Sequence, residues 1–250
     1  MAALTVAIGE KSFPALGAAA RRHVLGSLRF TVEAGQTVVI TGPSGCGKTT
    51  LLNIVAGLDP RFEGRIEMPE VTRIGYVFQD PRLLPWRTVE DNLRLVLDGE
   101  KEEIARRIAD VLAEVGLADA QQVYASRLSL GMARRVAIAR AFVVRPTLLL
   151  LDEPFVSLDE PTAARLRRLL LDLLATHRVT TLFVTHNLRE AIMLGDRLIF
   201  LSRSPARIVS DVVVPLDRAA RTSEAAIESF RTRLGELPAL LEQGLTEPTS

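Results

Sequence analysis

TVVITGPSGCGKTT, residues 37–50, joins a buried strand to a helix through a glycine-rich loop. Thr37–Thr41 is a short β-branched run that reads as a buried strand. Lys48–Ala56 reads as a helix closed by Gly57. Between them, Gly42-Pro43-Ser44-Gly45-Cys46-Gly47-Lys48-Thr49 fits G-x-x-x-x-G-K-[ST] in the strand–loop–helix setting that phosphate binding requires. Glycines let successive backbone N–H groups curl around one anion, and the helix N-terminus adds positive potential. Lys48 is placed to reach the outer phosphates of a nucleotide, Thr49 to ligate Mg²⁺, and Thr50 to continue the cradle. A plain glycine turn capping a helix is the alternative. Cys46 reads as a small filler, although a helix start can lower a thiol pKa.

Outward from this loop, short apolar strands alternate with helical patterns, as in an α/β fold with a parallel-rich sheet. Ile74–Phe78, Leu148–Leu151, Thr180–Val184 and Arg197–Leu201 are the further strands expected. Pro161 suits the first turn of a helix running to about Ala175. From Arg82 to Val144 the strand signal disappears. Ile104, Ile108, Val111, Leu112 and Val115 recur at helical spacing before Gly116, so residues 82–144 read as a helical insertion. Residues after about Leu216 are rich in Glu, Arg and Ala and read as a surface helix or two ending in a frayed TEPTS.

A second chemical feature ends the run Leu148–Leu151, which stops at Asp152-Glu153-Pro154. A strand ending in acids delivers them to the carboxyl edge of the sheet, where α/β folds bind ligands. Asp152 suits Mg²⁺, directly or through water, and Glu153 suits polarising a water for attack on a γ-phosphate. A solvated strand end is the alternative for the pair taken by itself.

Composition sets limits. The 250 residues carry a net charge of +1, which gives no global reason to expect nucleic acid as a partner. Only three of the basic residues are lysines (Lys11, Lys48, Lys101), which makes Lys48 in its glycine loop more noticeable. One cysteine excludes an intramolecular disulfide and suits a reducing compartment. The first residues show no basic-then-apolar targeting pattern, and no stretch approaches the ~20 apolar residues of a membrane span. A membrane role is expected to come through a partner.

With these motifs in order, the chain resembles the ATP-binding-cassette (ABC) family, in particular ATP-binding subunits of nitrate/sulfonate/taurine importers. The resemblance runs from about Leu4 to Val214. It implies a P-loop NTPase core with an antiparallel N-terminal β portion, a cassette over residues 1–215 and a separate tail over 216–250. Gln79 matches the family's glutamine that senses Mg²⁺ and the attacking water. Leu128-Ser129-Leu130-Gly131-Met132 stands at the signature motif, followed by the helical run Arg134–Val144. Ser157-Leu158-Asp159 resembles the loop that crosses the dimer interface, and His186 the histidine at the γ-phosphate. Phe13 matches the aromatic that stacks on adenine, although Pro14–His23 is a few residues longer than the family pattern.

The resemblance implies a homodimer with two ATP molecules, each held by one chain's phosphate loop and the other chain's Ser129 and Gly131. It further implies permease subunits contacted near Pro81–Arg87, a solute-binding protein acting indirectly, and a peripheral place on the cytoplasmic face of the membrane. Leu130 departs from the usual LSGG, and either points away from the composite site or crowds it. Trp86 either packs in the helical insertion or lines a groove for a permease helix. A soluble cassette ATPase of DNA repair or translation is the main rival, but no long coiled coil or second cassette fits in 250 residues. A weakly hydrolysing nucleotide-binding regulator is the second rival, opposed by Glu153 and His186.

Overall fold

The structure, a computed structural model, describes residues 2–14, 22–217, 220–237 and 240. The chain divides into two units, residues 1–70 with 180–250, and residues 71–179.

The first unit opens with β1 (Ala2–Phe13), β2 (Arg22–Leu25), β3 (Leu28–Glu33), β4 (Thr37–Thr41), α1 (Lys48–Val55) and β5 (Glu63–Glu67). β1 pairs antiparallel with β2, β3 and β5. Leu4, Val6 and Ile8 face Val32, Phe30 and Leu28 in register, and all six are buried. That alternation gives the antiparallel sheet one apolar face. β4 is different, because all five of its residues are buried.

The second unit holds β6 (Ile74–Val77), α2 (Val89–Arg94), α3 (Lys101–Glu114), α4 (Leu130–Phe142), β7 (Leu148–Asp152) and α5 (Glu160–His177). β6 and β7 run parallel, with Val77 opposite Leu151. From residue 82 to 144 the chain is helix, turn and coil, apart from one bridge between Thr88 and Tyr124. α3 buries Ile104, Ile108, Val111 and Leu112, the stripe legible in the sequence. α4 begins four residues before the expected Arg134, because the Ser129 hydroxyl accepts the Met132 N–H at 3.3 Å and caps it.

The chain returns to the first unit as β8 (Thr180–Val184), α6 (Leu188–Leu194), β9 (Arg197–Leu201), β10 (Ile208–Val213) and α7 (Glu224–Gly235). β4 lies parallel to both β8 and β9, and β10 adds an antiparallel edge to β9. α7 buries Ile227, Phe230 and Leu234 and packs on α6. Asp196 links this end to the sheet, accepting the Thr37 N–H at 2.8 Å and pairing with buried Arg221 at 2.8 Å. The terminal TEPTS lies outside the described residues.

Candidate nucleotide site

In the first unit the phosphate loop joins β4 to α1. Gly45 and Gly47 have φ of 75° and 115°, the left-handed backbone that favours glycine. A Cβ at Gly47 would stand 2.7 Å from Leu25 Cδ2 and 2.8 Å from Val24 Cγ1, so β2 packs directly on the loop. Lys48 is buried and its ammonium crosses the loop, donating to the Gly42 carbonyl at 2.8 Å and the Pro43 carbonyl at 3.1 Å. Pro43 O also accepts the Cys46 N–H at 3.2 Å, and Cys46 is buried, in keeping with a filler. Ser44, Gly45 and Thr49 are exposed and Thr50 half-buried, on the loop and the first turn of α1.

Two further candidates lie in this unit. His186 is exposed on the turn from β8 to α6. The Thr185 N–H donates to the Ile40 carbonyl at 3.2 Å, so this turn starts beside the end of β4, where the phosphate loop begins. The Thr185 hydroxyl donates to Glu190 at 2.7 Å and accepts the Asn187 N–H at 3.0 Å, while the Asn187 side chain caps α6. The backbone on both sides of His186 is therefore fixed. Phe13 ends β1 opposite Arg22 of β2, the strand that packs on Gly47. It is 39% exposed, with the buried Lys11 ammonium 4.6 Å from its ring centroid. Lys11 is held by Asp59 at 2.6 Å and the Arg61 carbonyl at 2.7 Å. Most of the Pro14–His23 stretch, residues 15–21, lies outside the described residues.

In the second unit, parallel β6 and β7 bring Gln79, Asp152 and Glu153 to one sheet edge. Asp152 is 2% exposed, and Glu153 has φ of 44°, a strained value for a non-glycine residue. Burial, with the Asp152 charge behind it, pushes the Tyr76 hydroxyl well above its ordinary pKa, while Arg82 opposes this. After Glu153 the chain turns tightly, with Val156 N–H donating to the Glu153 carbonyl at 3.3 Å and Ser157 again left-handed at φ 64°. Asp159 then caps α5, its carboxylate accepting the Thr162 N–H at 3.0 Å. Those hydrogen bonds from Thr162 hold the Asp159 carboxyl below the usual carboxylate range.

Ser129, Leu130, Gly131 and Asp159 line one open cleft of about 320 Å³. A Cβ on Gly131 would meet Thr162 Cγ2 at 2.9 Å, so this glycine permits α4 to approach α5 closely. Leu130 is 45% exposed.

Three contributors escaped sequence reasoning: Lys11, Asn92 and Arg134 are charged or polar yet buried, and all act on backbone carbonyls. For Arg134 a signal existed, since an arginine precedes a helical run, Val136–Ala139, buried on every side.

Residues 25–156 match the family model for ABC transporters. The chain belongs to the ABC transporter family. It is an ATPase that powers transport. It is 41% identical over 221 residues to the aliphatic sulfonates import ATP-binding protein SsuB 2 of Burkholderia cenocepacia, covering 85% of this chain and 81% of that protein. It is 38% identical over 239 residues to SsuB of Bacillus subtilis, covering 93% and 92%. With SsuB 2 of Streptomyces avermitilis it shares 43% over 228 residues, covering 91% and 88%. Among solved structures, it resembles a dimeric ATP-binding cassette in a post-hydrolysis state bound to ADP and Pi. There the TM-score is 0.75 at 27% identity, covering 86% of this chain and all of the other. The family match takes in the phosphate loop, Gln79, residues 128–132 and Asp152–Glu153, and ends before Asp159 and His186.

Proposed function

We propose that this ABC ATPase drives the import of a small organic sulfonate, as a homodimer beneath membrane permease subunits that receive cargo from a solute-binding protein. The names of its relatives support the cargo class. The hydrolytic role rests on one observation above the others: a strand that ends in buried Asp152 and strained Glu153, in a chain whose phosphate loop is closed around Lys48.

ATP meets the loop Gly42–Thr50, where backbone N–H groups and Lys48 offset phosphate charge. Phe13 stacks on the base. Glu153 accepts the proton of the attacking water, with His186 at the γ-phosphate. Gln79 orients that water. Ser129 and Gly131 of one protomer close on the ATP bound by its partner, and Asp159 lies at the same interface.

Taken singly, the proposed donors have the chemistry Mg²⁺ takes. Among the described residues no cluster of three His, Cys, Asp or Glu side chains offers an all-protein cage. A buried strand-end carboxylate and a helix-start hydroxyl are oxygen ligands of the few-handed kind that Mg²⁺ takes alongside phosphates and water. Asp152, Thr49 and Gln79 would hold it, and it would neutralise charge on the phosphoryl oxygens.

Among the described residues no helix is long and apolar enough to cross a membrane, which fits a subunit seated on the cytoplasmic face of its permease. Pro81–Arg87 is the segment offered to that permease. Trp86 is 70% exposed in this chain, so core packing of the helical insertion does not account for it.

Glu153→Gln tests the reading. Turnover is expected to vanish while ATP still binds, and an ATP-dependent dimer should accumulate on size exclusion. Hydrolysis at the wild-type rate would remove Glu153 from the role of base.

A further inference from the structure

Arg134 stands on the first turns of α4, and its side chain is 2% exposed. Nη1 donates to the Phe78 carbonyl at 3.4 Å and to the carbonyl of Gln79, while Nη2 donates to the Val156 carbonyl at 3.2 Å. Nε has no hydrogen-bond partner. Three pieces of chain meet on this group: the exit from β6 that carries Gln79, the turn between Glu153 and Asp159, and the helix whose start carries Ser129 and Gly131.

We propose that Arg134 is a positioning residue for hydrolysis, fixing the Gln79 segment and the Glu153–Asp159 turn to α4 so that all three move as one body. This rests on the functional reading of Gln79, Glu153, Ser129 and Asp159 given above.

The energetics favour geometry over stability as its role. A guanidinium taken out of water and met mainly by carbonyl dipoles recovers little of its desolvation cost. Burial accordingly lowers the Arg134 pKa from its ordinary value, with Asp80 acting against it. What the arrangement provides is a planar fork whose two ends bind different segments at fixed angles, which the single ammonium of a lysine cannot reproduce. The Val156 carbonyl it grips lies between two left-handed residues, Glu153 and Ser157 at φ 44° and 64°. Such a turn persists only where its surroundings hold it. A misplacement of about 1 Å at a reacting group costs on the order of 100-fold in rate. Freeing this turn would let the Glu153 carboxylate and the Gln79 amide drift separately.

The test compares Arg134→Lys, Arg134→Gln and Arg134→Met in the full chain with Glu153→Gln as reference. Turnover is counted per nucleotide-binding site, with equilibrium ATP affinity, the Mg²⁺ concentration for half-maximal activity and the thermal midpoint measured alongside. Arg134→Gln is expected to lower kcat per site by at least ~10-fold and raise the Mg²⁺ requirement, with ATP affinity within about twofold. Arg134→Lys, which can still reach a carbonyl, should recover part of kcat.

A merely structural arginine would lower the thermal midpoint and the number of binding sites while leaving kcat per site intact, and that result overturns the proposal. Should Arg134→Met fail to fold, the glutamine and lysine variants carry the same comparison. Full turnover in Glu153→Gln would overturn the site reading and the proposal with it. An inert Glu153→Gln beside fully active Arg134 variants would overturn the proposal alone.

Discussion

The Lys48 ammonium, at the start of α1, closes the glycine loop by donating to the Gly42 carbonyl at 2.8 Å and the Pro43 carbonyl at 3.1 Å. Replacing Lys48 with Ala removes the closure of the loop and, on the proposed reading, the charge that would meet phosphate. A charge-assisted contact of about 1.5–3 kcal/mol corresponds to a loss of roughly 10- to 150-fold in ATP affinity. Titration with a fluorescent ATP analogue reads this directly, and unchanged affinity would count against Gly42–Thr50 as the nucleotide cradle. The place of Lys48 was legible in the sequence, because the loop requires glycine at its left-handed positions and a cation at the helix start, whereas its contacts depend on the folded curl of the loop. Glu153 shows the same limit. Its position at a strand end was readable, whereas its left-handed backbone was not, because nothing in the residue type announces it.

At the scale of elements, strands buried on both faces were visible as apolar runs, and β4, β7, β8 and β9 came out within a residue of expectation. The antiparallel strands were harder to see. β5, EGRIE, has one apolar side chain, and β1 alternates because only one face is covered, so neither stands out as a run.

α4 carries the departure from the family pattern. Leu130 is half-exposed beside Ser129 and Asp159, while Gly131 faces Thr162. Leu130→Gly is therefore expected to raise steady-state ATPase activity without changing the ATP affinity of the monomer, offset by up to about 1 kcal/mol of lost helix propensity. Gly131→Ala should lower activity, because its new Cβ would meet Thr162 Cγ2 at 2.9 Å and displace that side chain at the start of α5. A silent Leu130→Gly beside a damaging Gly131→Ala would make the leucine neutral. Silence in both would remove residues 128–132 from the composite site.

For the whole molecule, the proposed transport role raises the question of where permease subunits would gain their hold. Trp86 is 70% exposed, and Tyr124, Leu95 and Val96 are exposed in the same unit. The loop that presents Trp86 is nonetheless rigidly held. Buried Asn92 accepts the Leu84 N–H at 2.7 Å and donates to the carbonyls of Leu84 at 3.2 Å and Thr88 at 2.8 Å. Arg140 holds the start of the same loop through the Pro81 and Arg82 carbonyls at 2.7 and 2.8 Å. A large aromatic kept in water on a fixed loop costs little further entropy on binding, the property of an interface anchor. Trp86→Ala is expected to weaken association with the permease subunits by about 2 kcal/mol or more, roughly 30-fold, since truncated aromatic anchors fall in that range. Titration of detergent-solubilised permease with the purified ATPase measures the affinity, and ATP turnover by the unassembled subunit provides the control. Asn92→Ala should weaken the same association through the loop rather than the ring, and Trp86→Phe should restore part of it. Wild-type affinity in Trp86→Ala would place the permease contact elsewhere on the chain. A loss confined to Asn92→Ala would make the shape of the loop, and not the tryptophan, the feature recognised.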